Sequence, residues 1–272
     1  MAAMSSKDQL SFFEHLEELR WHIIRSLVAI LVFAIAAFLG KDFIFDRVIF
    51  GPTSLSFPSY KILCWMGNTL HLGKNMCVQS INFKIINLDM AGQFTTHIKV
   101  SFISGLIVAS PYVFWELWRF LKPALYTNEK NAARGLVSVC AGLFLFGILF
   151  GYFLIVPFSV NFLGNYHVSQ SVKNTINLGS YISVISMICL SSGIIFELPI
   201  LAFFLSKIGL ITPEFMKRYR KHAVVVILIL AAVITPPDVT SQVLIAVPIL
   251  LLYEVSIKVS RRVVRKAEAN NE

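Results

Sequence analysis

The chain has 272 residues, 56% of them hydrophobic and only 14% charged, with a mean hydropathy of +0.72. Such a composition excludes an ordinary soluble domain and makes this a polytopic, all-α integral membrane protein. Its formal net charge of +9 does not by itself point to nucleic acid, because membrane proteins gather Lys and Arg in cytoplasmic loops.

Residues 1–22 form the first predicted element, a cytoplasmic acidic amphipathic helix. In SFFEHLEELR, Glu14, Glu17 and Glu18 share one side of a helix while Phe12, Leu16, Leu19 and Ile23 line another. Ser11 and Glu14 have capping-box spacing, which places the helix start near Ser11. A helix that merely anchors itself on a membrane should be basic. This one is acidic, so it either solvates a helix face, as most such triplets do, or receives something cationic.

Residues 23–39 are long enough to cross about 30 Å of hydrocarbon and form span one. An extracytoplasmic loop, residues 40–93, follows and carries Cys64 and Cys77. Span two covers residues 94–118 with Pro111 inside, which implies a kink or a local replacement of backbone hydrogen bonds. A cytoplasmic loop over residues 119–134 leads to span three, residues 135–158, which Pro157 is expected to end. The extracytoplasmic loop 159–180 precedes span four, residues 181–205, which contains Glu197 within FELP. After the cytoplasmic loop 206–222, residues 223–235 offer thirteen residues, about 20 Å of helix and short for a span. The extracytoplasmic turn 236–241 contains Pro236, Pro237 and Asp238. Span six, residues 242–259, and a basic tail, residues 260–272, complete one polytopic domain.

Basic residues orient these spans. The loop 119–134 holds four, the loop 207–222 five and the end of the chain from Lys258 five, whereas the loop with Lys173 holds one. Five more are spread along the long first loop, where they weigh little. Six spans with both termini in the cytoplasm satisfy this count. Cys64 and Cys77 then face an oxidising compartment, where a disulfide closing their loop is expected. No run ahead of span one reads as a cleavable leader. No Cys/His metal spacing, P-loop or hydrolase signature appears, so no metal, cofactor or enzymatic activity is expected.

The acidic helix and the loop RFLKPALYTNEK fall on the same side, so an acid of that helix and Glu129 could each accept one guanidinium in a bidentate pair. A ligand with two arginines would match. Phe120, Pro123 and Tyr126 offer an apolar seat beside them, although interfacial anchoring is the ordinary role of Phe120 and Tyr126.

HLEELR at residues 15–20, PALYTNE at 123–129, FELP at 196–199 and TPPDVTSQ at 235–242, in this order on six spans, resemble the TatC family of the twin-arginine protein translocase. The resemblance covers nearly the whole chain. It implies a receptor and core component that binds twin-arginine signal peptides of folded cargo and recruits single-span partners of the TatA and TatB types. Export driven by the proton motive force, self-association in a receptor complex and residence in the cytoplasmic (inner) membrane are implied as well. Residue by residue, it makes Glu18 and Glu129 the carboxylates for the arginine pair, with Leu16, Arg20, Phe120, Pro123 and Tyr126 around them. Glu197 becomes an intramembrane partner contact, against the alternative of a carboxyl hydrogen-bonded within the bundle. Thr235 and Gln242 become partner-docking positions, against the alternative of satisfying backbone groups near the Pro-Pro turn. One departure stands out: where the family commonly has a second Arg two residues after the first, this chain has Trp21-His22. The first external loop is also long for the family. The rival class is a proton-coupled secondary transporter using Glu197, but the internal repeat usual in such folds is missing.

Overall fold

The structure, a computed structural model, describes residues 6–69, 83–121, 132–167, 169, 174–234 and 239–269. The expectations for Cys77, Pro123, Tyr126, Glu129 and Thr235 lie outside these residues. In chain order the elements are α1 (Ser6–Leu39), α2 (Pro58–Thr69), β1 (Lys84–Ile86), α3 (Gly92–Leu121), α4 (Ala132–Phe150) and α5 (Val156–Asn165). Then come β2 (Thr175–Asn177), α6 (Leu178–Phe196), α7 (Leu198–Lys207), α8 (Pro213–Arg218), α9 (Arg220–Ile234) and α10 (Val239–Ala269). π-Helical turns occupy Phe43–Ile49 and Gly151–Ile155. Among the described residues four segments are long and apolar enough to cross a membrane: Leu16–Leu39, Gly92–Phe120, Val137–Asn165 and Leu178–Lys207.

The chain forms two compact units, one of Met1–Lys41 with His97–Gly142 and the other of Asp42–Thr96 with Leu143–Glu272. In the first, α1 is one uninterrupted helix of 34 residues, so the acidic segment and span one are a single element. It begins at Ser6 rather than near Ser11. Lys7, Gln9 and Leu10 favour helix, and no Gly or Pro interrupts the chain before Gly40. The contacts of α1 move back along α3 as they move forward along α1, so the two run antiparallel. His22 meets Glu116, Ala34 meets Gly105, and Phe38 stacks on His97 with ring centroids 3.9 Å apart. At the middle contact only glycine fits, because a Cβ on Gly105 would lie 2.6 Å from the Ala34 nitrogen. Pro111 does not break α3. It cannot donate to the carbonyl of Ile107, and the Ser110 hydroxyl donates to that carbonyl instead, at 2.7 Å.

In the second unit α4 and α6 pack through small residues. A Cβ on Gly147 would stand 2.7 Å from the Ser192 carbonyl oxygen and 2.9 Å from Gly193 Cα, while Gly151 faces Ser192 and Cys189. Such a seam lets backbones approach closely where lipid removes any hydrophobic drive between helices. Pro157 does not end the third span as expected. The turn Gly151–Ile155 relaxes to π spacing, with the Val156 amide bonding back to Gly151, and the helix resumes with Pro157 in the first turn of α5, where its missing N–H costs nothing. The fourth span is split at Glu197, after which Pro199 opens α7, the position a proline prefers.

Three tyrosines tie the segment after α1 to the helices of its own unit. Tyr152 donates to Val48 O at 2.6 Å, Tyr181 to Ile49 O at 2.8 Å and Tyr60 to Pro52 O at 2.8 Å, amid the rings of Phe50, Phe57 and Phe153. β1 and β2 add a short parallel pair with Ile85 opposite Ile176. Asn177 then caps α6 by accepting from the Gly179 amide at 2.7 Å. Tyr60→Phe should cost about 1 kcal/mol and lower the melting temperature in detergent by roughly 3 °C. Burial pushes the Tyr60 phenol up to about 12. Because the folded protein holds the neutral form, this contribution is intact below about pH 10 and is lost as pH climbs from there toward 12. A melting series across that range should therefore fall less steeply for the Phe variant.

α7, α8 and α10 close around Ala202, Met216 and Ile257. The Ser206 hydroxyl donates to Ser260 at 2.7 Å and the Tyr253 hydroxyl to Met216 O at 2.8 Å. Arg220 pairs with Glu254 at 2.8 Å, both half-exposed, so this surface pair adds little.

Candidate functional site

The strongest concentration of polar chemistry in the first unit lies where the amino-terminal half of α1 meets the carboxyl-terminal end of α3. Glu116 is 1% exposed there, and both its carboxyl oxygens are used. The Nδ1–H of His22 donates to Oε2, and the Tyr112 hydroxyl donates to Oε1 at 2.8 Å. The edge of the His22 ring meets Phe120 with centroids 6.1 Å apart. Arg25, one turn along α1, contributes its charge to the same group and lines a cavity of about 320 Å³ with Trp21, Ile24, Val28, Ala29 and Tyr112. Arg119 lies over the Trp115 ring at 5.7 Å. A buried pair of this kind adds little net stability, yet removing one partner alone strands a charge at a cost of about 3–5 kcal/mol.

Of the residues expected at the binding surface, Glu18, Leu16 and Arg20 are exposed on α1 and Phe120 is half-buried on α3. Glu18 stands one helical turn before His22 on the same face. Reasoning from sequence passed over Glu116. Its signal was available, since it is the one acid within residues 94–118, and an ionisable group inside a predicted span is a functional candidate by default.

In the second unit Glu197 sits at the break between α6 and α7. Its amide donates to Ile194 O at 3.1 Å, its carbonyl accepts from the amides of Ile200 and Leu201, and its side-chain Oε1 is buried. Gln242 Nε2 donates to the Leu228 carbonyl at 3.1 Å, so this side chain satisfies a backbone group and ties α10 to α9. Cys64 is disulfide-bonded, while Cys140 and Cys189 are buried thiols. Among the described residues no three His, Cys, Asp or Glu side chains converge as a metal site.

The family model of the Sec-independent protein translocase protein (TatC) matches residues 14–248, which take in all four sequence signatures. The chain belongs to the TatC family. Among TatC relatives, that of Blattabacterium sp. subsp. Periplaneta americana (strain BPLAN) is 39% identical over 96% of this chain and 99% of its own length. That of Aquifex aeolicus (strain VF5) is 34% identical over 93% and 95%. A crystal structure of the twin arginine translocase receptor TatC is 32% identical, with a TM-score of 0.67 over 92% of this chain and 99% of that one. A second, of the same receptor in DDM, is 34% identical with a TM-score of 0.71 over 90% and 99%. As a TatC-family chain with several apolar helices, this protein is a membrane component of a Sec-independent protein translocase.

Proposed function

We propose that this chain is the receptor and core of a twin-arginine translocase in the cytoplasmic membrane. It binds the paired arginines of signal peptides on folded cargo through Glu18 and Glu129, with Leu16, Arg20, Phe120, Pro123 and Tyr126 forming the surrounding surface. Six spans with both termini cytoplasmic put these residues on the inner rim. The observation that supports this reading is the exposed Glu18 on α1, one turn from a His22 whose ring meets Phe120 of α3 edge-on. The helix that leads into the PALYTNE loop lies beside it. The protein works by binding and assembly rather than catalysis, and the proton motive force drives transport through the assembled complex, at about 2.3 kcal/mol per charge per 100 mV. The test is photocrosslinking of a twin-arginine signal peptide to the protein in native membranes beside a twin-lysine version. Strong labelling by the first alone is expected; equal labelling of both defeats the reading.

Glu197, Thr235 and Gln242 form the side that meets single-span partners of the TatA and TatB types, and copies of the chain associate in the receptor complex. The α9 helix, at 15 residues, covers about 22 Å, less than the hydrocarbon thickness, so lipid must thin or other helices must gather at that edge. Lengthening α9 by five leucines should weaken co-purification of these partners and halt export while signal-peptide crosslinking persists. Loss of crosslinking would remove this division of labour.

Cys77 is the proposed disulfide partner of Cys64. A Cys77→Ser variant should then make Cys64 reactive to maleimide without reductant, where the parent protein is not.

A further inference from the structure

We infer that His22 and Glu116 are a positioning pair for the signal-binding surface proposed above, a strut that touches no peptide but fixes the helix ends from which the peptide's acceptors project. The inference rests on that reading of Glu18 and Phe120 and deepens it.

The spacing carries the argument. Glu18 lies four residues before His22 on α1, and Phe120 lies four residues after Glu116 on α3. Each proposed contact residue thus stands one helical turn from the strut, on the face the strut occupies. Glu116 itself, 1% exposed and with both oxygens engaged by His22 and Tyr112, has no face left for a ligand. The remainder of the α1–α3 seam is held by close approach at Gly105 and, at the far end, by the Phe38–His97 stack and a 3.1 Å hydrogen bond between His97 Nε2 and the Phe38 carbonyl. Close packing fixes how near two helices come, whereas a charge-assisted hydrogen bond also fixes their rotation and register. At the end near Glu18 and Phe120, His22 and Glu116 supply that directional contact.

The charges nearby sharpen the expectation. Among the described residues the strut is faced by Arg25 on its own helix and by Tyr112 and Arg119 on α3, with Glu18 one turn away. A Glu116 carboxylate released from His22 would be a second acceptor for an incoming guanidinium. Pairing it with histidine keeps it out of competition with Glu18.

The test is a double-mutant cycle on the full chain in lipid nanodiscs, with a fluorescent twin-arginine signal peptide as probe and its twin-lysine version as reference. Glu116→Gln and His22→Gln should each weaken twin-arginine binding about tenfold, the double variant should be no weaker than either single one, and His22→Arg should stay within about threefold of the parent. Losses that multiply in the double variant, unchanged affinity in the single variants, or tighter binding by His22→Gln would each overturn the inference, the last by making Glu116 a direct acceptor. A second measurement needs no ligand: spin labels at Glu17→Cys and Arg119→Cys, both exposed positions, report the distance between the helix ends. That distance should be narrowly distributed in the parent, broad with Glu116→Gln, and narrow again with His22→Arg. If the parent holds both peptides equally, the proposed function fails, and the spin-label distances alone decide the strut; distributions unchanged by Glu116→Gln overturn it.

Discussion

A protein carrying Glu18→Ala together with Glu129→Ala is expected to lose about a hundredfold in affinity for a twin-arginine signal peptide while keeping its fold. Each carboxylate, accepting a charge-assisted hydrogen bond from one guanidinium, contributes about 1.5 kcal/mol, and two such losses multiply. Glu18 is exposed on α1, so the folded core should not notice its replacement. The measurement is peptide titration of the purified variant beside its thermal melt. Retained affinity at an unchanged melting temperature would remove both residues from the recognition step. Glu17→Ala, on the same stretch of α1, is the control that should leave binding within about twofold.

The largest structural loss is expected at the seam between α4 and α6. Gly147→Leu drives a side chain into the Ser192 carbonyl and Gly193 Cα, which are backbone atoms and cannot swing aside. Overpacking of a close helix contact costs at least about 1–3 kcal/mol, and backbone collision puts this site at or beyond the upper end. The variant should accumulate poorly and melt well below the parent. Gly142→Ala, five residues earlier on the same helix, is the matched control, because a Cβ there meets nothing within 4 Å. It should melt at or slightly above the parent temperature, as alanine favours helix over glycine by about 1 kcal/mol. Equal loss in both variants would show that close packing at Gly147 does not set the outcome.

Four membrane-length segments are legible directly from hydropathy, since an apolar run of about 20 residues is the length that a bilayer crossing demands. The points that hydropathy and motif spacing miss are local and have local causes. The capping box at Ser11 is overruled because the residues before it also favour helix. Pro157 has the sequence signature of a terminator, although a π turn ahead of it lets the helix continue with proline in a first turn. Pro111 leaves both a kink and a substitute hydrogen bond open, and the neighbouring Ser110 hydroxyl supplies the substitute. The His22–Glu116 pair is out of reach for a different reason: its members are 94 positions apart, and nothing in a single sequence says which face of α3 meets α1. The family resemblance, by contrast, rests on short signatures in a fixed order, and the family match spans all of them.

The unbroken course of α1 has a mechanical meaning. A helix of 34 residues is about 50 Å long, and one without glycine or proline has no weak point at which to fold. Whatever docks against its acidic end therefore acts on a lever. A tilt of about 5° at one tip displaces the other by about 4 Å, without any intervening joint to absorb it.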